Sequence, residues 1–91
     1  MTGPILPDEK EHQVLSLAYP VNLEEDEDGR FVARCPDVQG CVTDGLTRAE
    51  ALTEVADALF VALAAAKKAG RTLPMPSSAQ GRPLVFPKAL V

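Results

Sequence analysis

Residues 47–70 read TRAEALTEVADALFVALAAAKKAG, and this stretch decides the fold because it carries the strongest secondary-structure signal in the chain. Thr47 and Glu50 have the spacing of a capping box, in which each side chain accepts the backbone N–H of the other residue. Apolar residues then recur at helical spacing, at Leu52, Val55, Ala56, Leu59, Phe60 and Leu63. Two lysines close the last turn, and Gly70 suits the position after a helix. The pattern predicts one amphipathic helix over residues 48–69.

Three short strands are predicted before this helix. Apolar residues alternate between Val14 and Leu23, with Pro20 inside the run at a locally unpaired edge, because proline donates no ladder hydrogen bond. A second strand covers residues 30–35, and the acidic turn between the two strands predicts a hairpin. A third strand covers residues 41–45.

The chain after the helix is rich in proline. Residues 73–78 are predicted to be extended, and the proline-bracketed Leu84–Phe86 is compatible with an edge strand. The order is therefore β-β-β-α-β. This predicts an α+β fold in which a small antiparallel sheet has one long helix packed on one face.

Length and composition limit the class of protein. Ninety-one residues with 46% hydrophobic residues make one small domain, for which we expect a flexible leader (1–12), a folded unit (13–87) and a short tail (88–91). Thirteen acidic residues against nine basic ones give a net charge of −4, which suits a basic protein partner better than nucleic acid. We expect a cytoplasmic protein, because the N-terminus has no apolar signal region, no stretch resembles a membrane span and only two cysteines are present.

Few residues are candidates for chemistry. Cys35 and Cys41 lack further metal ligands or a nearby base, since His12 is the only histidine, and we expect both thiols to be buried as small apolar groups. Asp37 and Asp44 could join Glu50 in a two-metal nuclease site. The preferred alternative gives each carboxylate a local role: Asp37 caps a turn, Asp44 leads one and Glu50 caps the helix. We therefore predict no catalytic residue, no metal and no cofactor.

Two surfaces are candidates for binding. Taken alone, the acidic residues of the first hairpin are typical of a solvated turn; the alternatives are a cation site and an imitation of a phosphate backbone. For a protein that binds a basic partner, they are the predicted binding residues, which would steer the partner. These residues are Glu24, Glu25, Asp26, Glu27 and Asp28. A self-association interface is predicted at Phe60, Leu63, Leu84, Val85 and Phe86.

Five motifs in their order and spacing resemble the HicB antitoxin family. They are Tyr19-Pro20-Val21-Asn22-Leu23, Gly29-Arg30-Phe31-Val32, Cys35-Pro36-Asp37-Val38-Gln39-Gly40-Cys41, Asp44-Gly45 and Thr47-Arg48-Ala49-Glu50-Ala51-Leu52. The resemblance covers residues 19–76. It implies a partial RNase H-like fold without the nuclease's catalytic acids. It also implies an antitoxin that neutralises HicA, a small basic mRNA interferase, by covering its active site, and that forms homodimers or homotetramers.

One family feature is missing from the resemblance. Many HicB proteins continue into a C-terminal DNA-binding module, and residues 83–91 resemble only the connection to it, so we expect no operator binding by this chain alone. Two other functions stay open at this point. One is a residual metal-dependent nuclease on an RNase H-like scaffold, and the other is a non-catalytic dimeric scaffold with a regulatory role.

Overall fold

The computed structural model describes residues 17–88, which contain five strands and one helix. In chain order these are β1 Tyr19–Pro20, β2 Asn22–Glu25, β3 Phe31–Arg34, β4 Val42–Gly45, α1 Arg48–Lys68 and β5 Leu84–Val85. The predicted α+β class and its element order are confirmed, with the first strand divided in two. The predicted leader and the start of the first strand, together with residues 89–91, lie outside the described residues.

The helix begins where the sequence predicts. Thr47 has an extended backbone, and its hydroxyl accepts the Glu50 N–H at 3.0 Å. The other half of the predicted capping box is wrong, because the Glu50 carboxylate accepts the N–H of Leu46 at 2.9 Å instead of that of Thr47. The side chain therefore reaches one residue further back and still satisfies a backbone donor ahead of the helix.

The helix ends one residue before the predicted boundary. Gly70 adopts a φ of +79°, which a residue with a side chain rarely takes. Its N–H donates to Lys67 O, and the N–H of Arg71 donates to Ala66 O. This pair of bonds is a Schellman motif, which satisfies carbonyls that the helix end would leave free.

Strands β2, β3 and β4 form an antiparallel sheet in that order. Leu23 lies opposite Ala33, and Ala33 lies opposite Thr43, so these three residues share the face that α1 covers. Gly45 makes the closest approach, since a Cβ built there would stand 2.6 Å from the backbone nitrogen of Ala51. The first turn of α1 can lie this close to β4 only because position 45 has no side chain.

The predicted first strand changes partners at Val21. Ahead of it, β1 pairs with β5 and places Tyr19 opposite Val85; beyond it, β2 pairs with β3. The Val21 N–H donates to Pro83 O at 3.0 Å. Pro20 has no N–H to donate, so the contact with the C-terminal segment continues through the next residue.

The core lies between α1 and the strands. Its fully buried side chains include Tyr19, Val21, Val55, Leu59 and Leu63. Two long-range contacts attach the extended segment after the helix: the Tyr19 hydroxyl donates to Pro74 O at 2.6 Å, and Asp37 accepts from Ser77. The chain then returns to the helix, where the Lys88 N–H donates to Ala56 O. No helix within residues 17–88 combines the length and the apolar character needed to cross a bilayer.

Replacing Tyr19 with Phe tests the hydroxyl contact. Burial, with smaller contributions from nearby Cys35 and Asp37, raises the pKa of Tyr19 above its usual value near 10. The unfolded chain therefore releases this proton at lower pH than the folded one. The stability that Tyr19 contributes should be fully present below pH 10, and it should be lost as pH rises above about 10, where the unfolded chain ionises first.

Tyr19→Phe should cost about 1 kcal/mol at neutral pH, because the Pro74 carbonyl loses its donor. The variant should also lose less stability than the wild type between neutral pH and the alkaline range. Urea unfolding at several pH values in this range measures the free energy of unfolding of both proteins. The effect of lysine titration is the same in both and cancels in the difference between them. Parallel stability curves for the two proteins would contradict the prediction.

Candidate partner-binding surface

The acidic turn is organised by one of its own residues. Asp26 Oδ1 accepts the N–H groups of Asp28 and Arg30, both at 2.9 Å. The Asp26 backbone also bonds to Arg30 and to Gly29, whose φ of +81° closes the turn. Asp26 is therefore a structural residue, and its neighbours are left to face solvent.

The remaining carboxylates of the turn are exposed and spread out. Glu24 and Glu25 are successive residues of β2, so their side chains leave opposite faces of the sheet. Glu27 and Asp28 project from the tip of the turn. Within residues 17–88 no three histidine, cysteine or acidic side chains are gathered as a metal site. The arrangement favours attraction of a basic surface at a distance over coordination of one ion.

The three carboxylates considered for a nuclease site make separate contacts. Glu50 has a local capping role, as predicted, but its donor is the Leu46 N–H instead of the Thr47 N–H. Asp44 pairs with Arg30 across the uncovered sheet face, with Arg30 Nε 2.9 Å from Asp44 Oδ2, and this hydrogen bond raises the pKa of Arg30. Asp37 accepts both the N–H and the hydroxyl of Ser77. The predicted turn roles of Asp37 and Asp44 are therefore wrong, because a partner distant in sequence engages each side chain.

Cys35 and Cys41 are both free and buried, as predicted. They close the turn that joins β3 and β4, where the Cys35 N–H donates to Cys41 O at 2.9 Å. The interaction between the two thiols raises the pKa of Cys41, which burial raises further, and lowers the pKa of Cys35. Their low exposure makes them packing residues of the turn.

The residues predicted for self-association separate into two groups. Leu63 is completely buried and Val85 is 8% exposed, so both belong to the core of the protomer itself. Phe60 is partly buried against that core. Leu84 and Phe86 are 55% and 58% exposed and alternate with buried neighbours along the C-terminal segment. Of the five residues predicted for self-association, only Phe60, Leu84 and Phe86 are exposed enough to contact a second folded protomer.

A groove that the sequence analysis did not anticipate lies between β4 and α1. Its volume is about 480 Å³, and it is lined by Gly40, Thr43, Glu54, Asp57, Ala58 and Val61, with Ala62 beyond them. One oxygen of Asp57, Oδ1, is buried without a hydrogen-bond partner in the described part of the chain. The only sequence signal for the groove is Val61, an apolar residue outside the predicted helix stripe, which is 57% exposed.

Comparison with known families supports the resemblance seen in the motifs. Residues 18–85 match the model of a family described as HicB-like antitoxins of bacterial toxin–antitoxin systems. The chain belongs to the HicB-like antitoxin family. The matched region contains all five strands, the helix, the acidic turn and the groove.

Two curated relatives are similar to part of this chain. UPF0150 protein Ta0767 of Thermoplasma acidophilum is 34% identical over 58 residues, which cover 64% of this chain and 84% of the relative. Antitoxin HicB 1 of Photorhabdus laumondii is 35% identical over 63 residues, which cover 69% of this chain. That match spans only 41% of the second relative, which is therefore much longer than the HicB-like region.

The different roles of Asp26 and Glu27 can be tested by stability. Asp26→Ala removes the acceptor of two backbone N–H groups and should lower the free energy of unfolding by about 1 kcal/mol. Glu27→Ala, the matched control, should change it by less than about 0.5 kcal/mol, because exposed positions without such contacts tolerate substitution. Urea unfolding of the two variants measures both values. Equal losses would show that Asp26 does not hold the turn.

Proposed function

We propose that this protein is an antitoxin that binds a basic, HicA-like mRNA interferase, blocks its RNA site and catalyses no reaction itself. The observation that carries the proposal is the family match over residues 18–85, which includes the whole described fold. The net charge of −4 supports it, because a toxin that binds RNA presents a basic surface. The separate hydrogen bonds of Asp37, Asp44 and Glu50 support the absence of catalysis, since each carboxylate already has a structural role.

The acidic turn is proposed to bring the toxin to this surface. Clustered charge of one sign raises the rate of encounter with an oppositely charged protein, and salt weakens the effect. Asp26 keeps the turn in shape, which leaves Glu24, Glu25, Glu27 and Asp28 to supply the field. Exposed charges at a rim affect association more than dissociation. We therefore propose the turn as a steering element and place the tightest contacts elsewhere.

Self-association is part of the proposal, as a homodimer or homotetramer in the cytoplasm. Leu84 and Phe86 expose large apolar side chains next to each other along the C-terminal segment, and Phe60 lies partly exposed on the helix. A second copy covering these side chains would add apolar burial to a small domain. The two free cysteines are in keeping with a reducing compartment.

Binding kinetics test two parts of the proposal together: that this protein binds the toxin, and that the acidic turn steers the toxin toward it. The wild type and the variant Glu25→Gln/Glu27→Gln/Asp28→Asn are each bound to the purified toxin from the neighbouring reading frame. At low salt the variant should associate about tenfold more slowly, and the two rates should converge at high salt, because only screened charges are removed. The dissociation rate should stay nearly unchanged. Stopped-flow or surface-capture measurements give both rates.

Two controls separate the parts of this proposal. RNA incubated with the wild type and Mg²⁺ without toxin should stay intact, whereas toxin alone should cleave it and the mixture should not. Cleavage by this protein alone would contradict the non-catalytic role. A wild type that neither binds nor inhibits the toxin would refute the antitoxin function. Equal association rates at low salt would refute only the steering role.

Self-association is tested by replacing the exposed apolar pair. The wild type should sediment at a multiple of its 9.7 kDa mass, and Leu84→Ser/Phe86→Ser should shift it toward the monomer, because the variant removes apolar surface from the interface. Met75→Ser, which changes a side chain that is 79% exposed, is the matched control and should leave the mass unchanged. Analytical ultracentrifugation at several concentrations measures this. A wild-type monomer at every concentration would contradict the interface.

A further inference from the structure

The outer edge of β4 is open for hydrogen bonding. Within residues 17–88, β4 pairs only with β3. Bonded and non-bonded pairs alternate along an antiparallel ladder, and the Cys35 N–H bonds to Cys41 O. By this alternation the N–H and C=O of Thr43 bond to β3. The N–H and C=O of Val42 and Asp44 point away from β3, toward the open edge of the sheet. The Val42 N–H is satisfied by Gly40 O, so the outward groups open to a partner are the Val42 carbonyl and both backbone groups of Asp44.

The helix extends past this open edge. Thr43 anchors β4 under α1, with its hydroxyl donating to Ala51 O. Beyond Thr43 the flank of the helix that carries Ala58 and Val61 borders the groove and has no strand beneath it within the described sheet. An additional strand paired with β4 would lie in this groove and cover Val61. The groove thus offers both elements that strand addition needs, a backbone edge and a place for alternate side chains.

The charge of the groove selects the occupant. Glu54 and Asp57 line it, and no basic residue does. Asp57 is partly buried, and its Oδ1 is shielded from solvent and accepts no hydrogen bond from the described residues, so a donor from a partner would find this carboxylate available. A lysine or arginine would supply this donor and lay its aliphatic stem on Ala58 and Val61. A second copy of this acidic chain, pairing edge to edge, would bring like charges together instead.

We infer that an extended, basic segment of the toxin adds to the outer edge of β4 and places a lysine or arginine side chain in the groove beside Asp57. The inference rests on the proposed function, because the occupant is the toxin that the protein binds. It names a second contact, separate from the acidic turn. The turn acts on encounter, whereas the groove holds the partner after it has docked.

Asp57→Asn tests the charge contact. The substitution keeps the shape of the side chain and removes its charge, so the complex with the purified toxin should dissociate about ten to a hundred times faster. The association rate should change little. Thermal unfolding of the free variant should occur at the same temperature as the wild type or higher, because an uncompensated charge is removed from a partly buried site. This readout shows that weaker binding does not come from misfolding.

Asp44→Pro tests the backbone contact, with Asp44→Asn as its matched control. Both variants lose the ion pair with Arg30, and only the proline variant also loses the outward N–H. An edge position whose N–H faces away from the ladder tolerates proline. Asp44→Pro should therefore dissociate from the toxin faster than Asp44→Asn. In the wild type, toxin binding should slow hydrogen exchange at the Asp44 amide.

The outcomes distinguish this inference from the proposed function. Faster dissociation of Asp57→Asn together with protection of the Asp44 amide supports the groove contact. Wild-type dissociation rates for both Asp57→Asn and Asp44→Pro overturn it and leave the antitoxin function standing. A lowered oligomer mass of Asp57→Asn with unchanged toxin dissociation also overturns it, because the occupant is then a second copy. A wild type that does not bind the toxin at all refutes the proposed function and the groove contact together.

Discussion

The close contact between Gly45 and the first turn of α1 is the constraint on which the described structure depends. A Cβ at position 45 would stand 2.6 Å from the Ala51 nitrogen, a distance that packed atoms do not reach. With no Cβ there, the helix starts directly against the last residue of β4. Ala51 is then completely buried, and Val55, Leu59 and Leu63 follow it across the sheet at helical spacing. The groove lies between the same two elements, β4 and α1.

The second half of the structure is held by contacts between residues far apart in the chain. Tyr19 reaches Pro74, Asp37 reaches Ser77 and Val21 reaches Pro83, so the segment after the helix is attached to the N-terminal strands at several points. The contacts of Tyr19 and Val21 satisfy polar groups near the core, whose loss would cost more than the bond itself contributes, whereas the Asp37–Ser77 contact is exposed. The C-terminal strand is thereby placed with Val85 inward and its apolar neighbours outward. The same attachment thus provides both core packing and the proposed surface for self-association.

The two proposed contacts with the toxin differ in their physics. The acidic turn is exposed to solvent. Its electrostatic attraction therefore extends beyond the protein surface, and dissolved salt ions weaken it. The groove is open in the free protein, so a charge interaction there becomes less screened only once a partner covers it, and contact with Ala58 and Val61 adds apolar burial. A fold with one helix over a small sheet provides both, because the hairpin turn lies at the end of β2 and the groove at the outer edge of β4.

The amino-acid sequence by itself determined the elements of this protein. Local signals predicted the helix from Thr47 to its glycine end, the hairpin around the acidic turn and the buried cysteines, because capping, periodicity and turn chemistry act over a few residues. Only the tertiary structure decided which partners these residues meet. Asp37 accepts from a residue 40 positions away, the first strand changes partners at Val21, and Asp57 borders a groove formed by two separate elements. Such contacts arise from the way the helix and strands pack. Packing brings together residues that are far apart in the chain, and their spacing in the sequence does not predict the contact.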